Sequence, residues 1–154
     1  MIVIDTRQQA QKHAEKDAYF KMHNIPTIRS KCIVGDYTRL DNQTVSVDTK
    51  KDILEIAGNI CGKQHERFKA ECERARACGV KLIFLIEEVP PNGDLACWVS
   101  PKNKNGKLLS NVKGETLKKC MATMTLKYGV EFEFVSREET PQKILKILEV
   151  DYDG

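Results

Sequence analysis

Val34-Gly35-Asp36-Tyr37, then the polar turn Arg39-Leu40-Asp41-Asn42-Gln43, then Val45-Ser46-Val47-Asp48-Thr49-Lys50: this stretch decides how the chain is read. Two short apolar-rich runs around a polar turn predict a β-hairpin. Side chains two apart on a strand share a face. Asp48 and Lys50 are therefore expected side by side, with Thr49 turned away. In a hairpin, Asp36 approaches Asp48 from the neighbouring strand. Two carboxylates at one place repel unless a cation lies between them. Hard oxygen ligands suit Mg²⁺ or Mn²⁺. A lysine beside such an ion can orient or deprotonate a water, or stabilise charge developing on a phosphate.

That is the logic of a metal-dependent phosphodiesterase, and other residues extend it. Ile2-Val3-Ile4 predicts a short buried strand that delivers Asp5-Thr6-Arg7-Gln8 at its C-terminal end, where open α/β sheets collect their chemistry. Taken alone, Asp5 is either a third metal-facing acid or a turn residue. Together, Asp5-x-Arg7, Gly35-Asp36 and Asp48-x-Lys50 resemble the ERCC4-type (XPF-like) nuclease domain of the PD-(D/E)XK superfamily. That family typically reads Gly-Asp-x(n)-Glu-Arg-Lys-x3-Asp. This chain has Asp48-Thr49-Lys50 at the central triplet, Gln8 where a Glu is frequent, and Leu54 at the closing Asp. The resemblance implies an endonuclease acting on DNA, on branched or single-stranded substrates in recombination, repair or phage DNA processing. It implies Asp36 and Asp48 as metal ligands assisted by the Thr49 carbonyl, with Asp5 completing the acidic pocket. It further implies Lys50 at the attacking water, Arg7 on a phosphate, and a homodimer. The departures at Gln8 and Leu54 keep open a catalytically weak DNA-binding or regulatory module on the same fold.

The rest of the chain predicts alternating helices and strands. Residues 9–23 read as a helix with Ala10, Ala14, Ala18 and Met22 at four-residue spacing. Residues 27–32 read as extended. Ile53, Ile56, Ala57 and Ile60 follow a helical period, and Asp52 and Glu55 read as first-turn acids that could otherwise stand in for the missing Asp. Phe68, Cys72 and Ala75 make the apolar stripe of the next helix. Its other face, with Arg67, Lys69, Glu71, Glu73, Arg74 and Arg76, reads as a solvated mixed-charge surface. Lys63, His65 and Arg67 at its start are candidate phosphate contacts. Lys81-Leu82-Ile83-Phe84-Leu85-Ile86 is continuously apolar after its lysine, so it predicts a central strand. Glu87 then reads either as a solvated strand-end acid or as a neighbour of the metal.

Residues 89–113 are irregular and basic, with Lys102, Lys104 and Lys107 following Trp98. They read either as a DNA-binding loop whose aromatic ring stacks on an unpaired base, or as a solvated loop with Trp98 packed on the core. Leu117, Cys120, Met121, Met124 and Tyr128 predict a helix, residues 130–135 a half-buried strand, and Thr140-Pro141 the N-cap and first turn of a final helix with Ile144, Leu145 and Leu148.

The expected architecture is α/β: a restriction-endonuclease-like mixed sheet flanked by helices, one domain over residues 1–154. Its core is placed at 2–88, with a helix-strand-helix extension at 114–150. With 154 residues, 41% hydrophobic and 31% charged, the chain is long enough for a true core. A net charge of +3 leaves any basic surface to be local. No apolar run reaches membrane-spanning length, and Met1-Ile2-Val3-Ile4 is too short for a signal peptide. Six cysteines without a Cys-x-x-Cys pair read as reduced core thiols of a cytoplasmic protein. No phosphate-cradling glycine loop and no nucleophile with a placed histidine point to another enzyme class.

Overall fold

The computed structural model describes residues 1–7 and 13–152. The elements run β1 (Ile2–Asp5), α1 (Ala14–Met22), β2 (Thr27–Ser30), β3 (Tyr37–Arg39), β4 (Val45–Lys50), α2 (Ile53–Cys61), α3 (His65–Ala77), β5 (Lys81–Ile86), α4 (Gly114–Tyr128), β6 (Glu131–Phe134) and α5 (Thr140–Ile147). The strands form one mixed sheet in the order β2-β1-β3-β4-β5-β6. The hairpin pairs Tyr37 with Val47 and Thr38 with Ser46, antiparallel. β4 then pairs in parallel with β5, placing Asp48 beside Phe84 and Lys50 beside Ile86. β5 is an interior strand, as its unbroken apolar run requires.

Helices cover both faces. On one, α2, α3 and α4 bury Ile53, Ile56, Phe68, Cys72, Leu117 and Met121 against Leu82, Phe84 and Ile86. On the other, Phe20 of α1 and Ile144 and Leu145 of α5 pack on Ile2, Ile4, Tyr37, Val47 and Leu85. The period of two along β5 divides its side chains between these cores. α2 starts where Asp52 accepts the Glu55 N–H at 2.8 Å and Glu88 accepts the Ile53 N–H at 2.8 Å. Asp52 is thus a helix cap. Among the described residues no helix is long and apolar enough to cross a membrane.

Several expectations are corrected. Ala14, Ala18 and Met22 are exposed, and α1 instead buries Lys16 and Phe20; Ala10 lies outside the described residues. The cost of burying Lys16 is offset by Glu87, whose Oε1 lies 2.5 Å from the ammonium. Glu87 is accordingly neither solvated nor a member of the cleft described below. Trp98 is only 4% exposed and belongs to the α4-side core, so its ring cannot stack on a base. Of the six thiols, only Cys32 and Cys72 are buried; Cys61, Cys78 and Cys97 are exposed and Cys120 is intermediate. Thr140 does not cap α5: a 3₁₀ turn (Arg137–Glu139) runs straight into the helix, and the Thr140 hydroxyl donates to the Ser136 carbonyl at 3.3 Å.

Candidate active site

A cleft of about 720 Å³ opens where β1, β4 and the turn before β3 end together. The chain direction explains the meeting. β4 runs antiparallel to β3, so its C-terminal end lies beside the start of β3. The Asp36 N–H donates to the Val47 carbonyl at 2.8 Å, and the Asp5 N–H donates to the Asp36 carbonyl at 2.9 Å. Asp5, Asp36 and Asp48 therefore come from three adjacent strand ends.

Gly35 makes this turn possible. Its φ is +74°, and a Cβ there would stand 2.8 Å from Ser46 Oγ and 3.0 Å from the Val47 carbonyl oxygen. The turn sends the Asp36 carboxylate over β4, where Oδ2 accepts both the Thr49 N–H and the Thr49 hydroxyl at 2.9 Å. Thr49, expected to turn away from Asp48 and Lys50, lines the same cleft and gives its hydroxyl to Asp36.

Asp48 and Lys50 share a face as the strand period predicts. Lys50 Nζ lies 3.2 Å from Asp48 Oδ2 and about equally far from the Phe68 and Phe84 rings, at 5.8 and 5.9 Å. Burial and the neighbouring Asp36 push the Asp48 carboxyl up to about 8. Burial alone would lower Lys50, but Asp48 beside it more than compensates, so the ammonium is held protonated. Asp48 Oδ2 is buried and makes no hydrogen bond, despite its distance from Lys50. A buried carboxylate oxygen without a hydrogen bond, next to a second carboxylate, fits a hard divalent cation. Among the described residues no three His, Cys, Asp or Glu side chains converge as a closed metal cage. Mg²⁺ does not need one: it is held by one or two carboxylates, waters and substrate phosphate.

Asp5 lines the cleft but is already engaged. Its oxygens accept Arg7 Nε at 2.9 Å, Arg7 Nη2 at 2.5 Å, and the Arg7 and Cys32 N–H groups at 2.7 and 3.2 Å. Burial opposes its charge, but these donors hold the carboxyl below its usual range. Asp5 is thus the anchor of Arg7 rather than an open third ligand. Arg7 keeps 52% of its side chain exposed toward the cleft mouth. Gln8 lies outside the described residues.

One wall of the cleft comes from the helix face that the mixed-charge rule assigned to solvent. Arg67, Ala70, Glu71 and Arg74 line it from α3. Glu71 is half-buried, and burial together with Asp48 pushes its carboxyl up to about 7. Arg67, Glu71 and Arg74 stand at i, i+4 and i+7, about 100° around the helix from the Phe68-Cys72-Ala75 stripe; that spacing was the available signal. His13, 4% exposed, reaches the cleft from the other side, its Nδ1 3.0 Å from the Tyr37 hydroxyl. Nothing in the sequence spacing marked it. Lys63, Lys102, Lys104 and Lys107 are exposed but do not line the cleft. Lys102 forms a small β-bridge with Leu108, and Lys104 and Lys107 lie in the turn between them. His65 bonds the Ile60 carbonyl at 2.7 Å and also stays outside.

The sequence matches the family described as "ERCC4 domain" over residues 4–148. The fold is similar to that of "XPF from Aeropyrum pernix", with a TM-score of 0.62 and 14% identity over 97% of this chain. A second structure, "XPF from Aeropyrum pernix, complex with DNA", gives a TM-score of 0.64 and 15% identity over the same 97%. This chain spans 63% of the length of each. No curated protein matches it.

Proposed function

The chain belongs to the ERCC4 domain family, and from that premise we propose that it is a Mg²⁺- or Mn²⁺-dependent endonuclease hydrolysing phosphodiester bonds in DNA. The observation that carries the proposal is the meeting of two carboxylates, Asp36 and Asp48, with Lys50 in one cleft, where Asp48 is buried and raised by its neighbour Asp36. The similar XPF structure in complex with DNA supports the choice of polymer.

Asp36 and Asp48 would hold the ion, assisted by the Thr49 carbonyl. When bound, a divalent cation supplies Lewis acidity at a phosphate oxygen and a water of lowered pKa. Binding requires Asp48 to lose its proton. Lys50, aimed by Asp48 and seated over two aromatic rings, positions the attacking water and neutralises charge on the phosphate. Arg7 contacts a neighbouring phosphate, oriented from behind by Asp5. Arg67 and Arg74 supply further phosphate contacts at the α3 rim. Lys63, Lys102, Lys104 and Lys107 extend the grip along the DNA beyond the cleft. In this reading residues 1–154 act as one nuclease unit, on branched or single-stranded DNA. A pair of copies would hold a branched substrate from two sides.

The test is cleavage of end-labelled single-stranded, duplex, flap and four-way-junction DNA with Mg²⁺, Mn²⁺ or EDTA. Metal-dependent cuts are expected, and the best substrate names the role. Binding without cutting on every substrate, with metal present, would replace the enzyme by a DNA-binding module on the same fold.

A further inference from the structure

Four backbone polar groups of the Val34–Asp36 turn are pinned. The Val34 carbonyl accepts the Ser46 hydroxyl at 2.6 Å. The Asp36 N–H and carbonyl are held by Val47 and Asp5, within the sheet. The Gly35 N–H differs: it donates out of the sheet, to Glu71 Oε1 on α3, at 3.2 Å. Glu71 thus holds the residue next to Asp36 from a helix 36 positions further on. Among the described residues Glu71 forms no ion pair within 4.0 Å, and its carboxylate accepts the Gly35 N–H.

The same face of α3 carries Arg67 four residues before Glu71 and Arg74 three residues after it, both at the cleft. Phe68, one residue from Arg67, supports Lys50 from below. A phosphate drawn to the two guanidinium groups therefore bears on the helix that holds the Gly35 N–H.

We propose that Glu71 is a positioning residue: through the Gly35 N–H it fixes the turn that presents Asp36, and it ties that carboxylate to the α3 face that receives the DNA backbone. This rests on the reading of Asp36 as a metal ligand. Groups behind a ligand that fix its orientation commonly change metal affinity 10–100-fold when removed.

The test compares wild type, E71A and E71Q by amide exchange at Gly35 and by calorimetric titration with Mn²⁺. Glutamine keeps an oxygen that accepts the Gly35 N–H; alanine removes it. E71A is expected to speed Gly35 exchange and weaken Mn²⁺ binding, each by about tenfold, and E71Q to restore both. In cleavage assays at saturating Mn²⁺, E71A should recover most of its kcat. If E71A does not fold, E71D, which withdraws the oxygen by one methylene, is expected to show the same losses. E71A matching wild type in both readouts would overturn the proposal. So would E71Q failing as badly as E71A, which would assign the charge rather than the hydrogen bond. Wild-type protein that takes up no Mn²⁺ would remove Asp36 as a ligand, and this link with it. Gly35 exchange rates distinguish that case from a failed clamp.

Discussion

Lys50 Nζ stands 3.2 Å from Asp48 Oδ2, and that buried oxygen makes no hydrogen bond. The pair is close enough to be coupled and too poorly aligned to be satisfied. The buried Lys16–Glu87 pair also leaves its Oε1 without a hydrogen bond, so what sets Asp48 apart is the second carboxylate, Asp36, beside it. Replacing Asp48 by asparagine keeps the shape and removes the charge. D48N is expected to fold normally by circular dichroism and to lose at least about a thousandfold in cleavage rate. Undiminished cutting by this variant would sink the assignment of Asp48.

The same carboxyl predicts a pH signature. Burial and Asp36 raise it to about 8 from an ordinary 3.8. A group raised in the folded state binds its proton more tightly there than in the unfolded chain. Its contribution to stability is complete below about pH 4 and is lost as pH climbs through about 8. Glu71, raised to about 7, acts in the same direction. In EDTA, the Tm of wild type is therefore expected to fall between pH 5 and pH 8.5, more steeply than that of D48N. Mn²⁺ affinity should run the other way, gaining up to about tenfold per pH unit over the same window. Parallel Tm profiles for the two proteins would count against a raised Asp48.

Gly35 offers a test that separates backbone from chemistry. At φ +74°, with Ser46 Oγ 2.8 Å from the place of a Cβ, alanine is strained and crowded at once. Gly35→Ala is expected to cost about 2–4 kcal/mol in urea unfolding and to reduce cleavage beyond what lost stability explains, because Asp36 moves with the turn. By contrast Gly79→Ala, at φ +67° but with open space around it, should cost about 1 kcal/mol and leave cleavage alone.

Burial divides the basic loop from its aromatic neighbour. Trp98→Ala is expected to destabilise by about 3–5 kcal/mol while leaving the DNA affinity of the folded fraction unchanged. The triple change of Lys102, Lys104 and Lys107 to alanine should do the reverse. It leaves the unfolding midpoint in place and lowers the salt dependence of DNA binding, by up to about 0.9 per lost phosphate contact. Fluorescence anisotropy across a salt series reads both. An unchanged salt slope would remove the loop from the interface.

What the sequence made legible follows from the range of the forces involved. The hairpin, the shared face of Asp48 and Lys50, the interior strand β5 and the helices α2 to α4 are written in periods of two and about 3.6, which are local. The engagement of Asp5 by Arg7 is also local, yet it competes with a metal role that spacing cannot weigh. The role of Glu71 was hidden because it depends on Gly35, in a different element, and a mixed-charge helix face looks the same whether it meets water or a cleft. Glu87 was misread for a related reason: its charge is tolerable inside only because Lys16 arrives there, from far along the chain. Trp98 sat beside lysines in sequence while it was buried in space, in the core that also holds Leu95 and Leu117.

The hairpin has two ends, and only one lines the cleft. The polar turn after Arg39, exposed from Leu40 to Thr44, ends about 20 Å from Lys50 along a strand rising ~3.3 Å per residue. Arg39 anchors its base by donating to the Leu148 and Glu149 carbonyls at 3.3 and 3.0 Å. That outer end is a natural graft point. A fluorophore, an affinity peptide or a whole guest domain inserted at Asn42 would ride on the protein with its acidic cleft undisturbed, so the chain can be tethered, tracked or fused to a targeting module there.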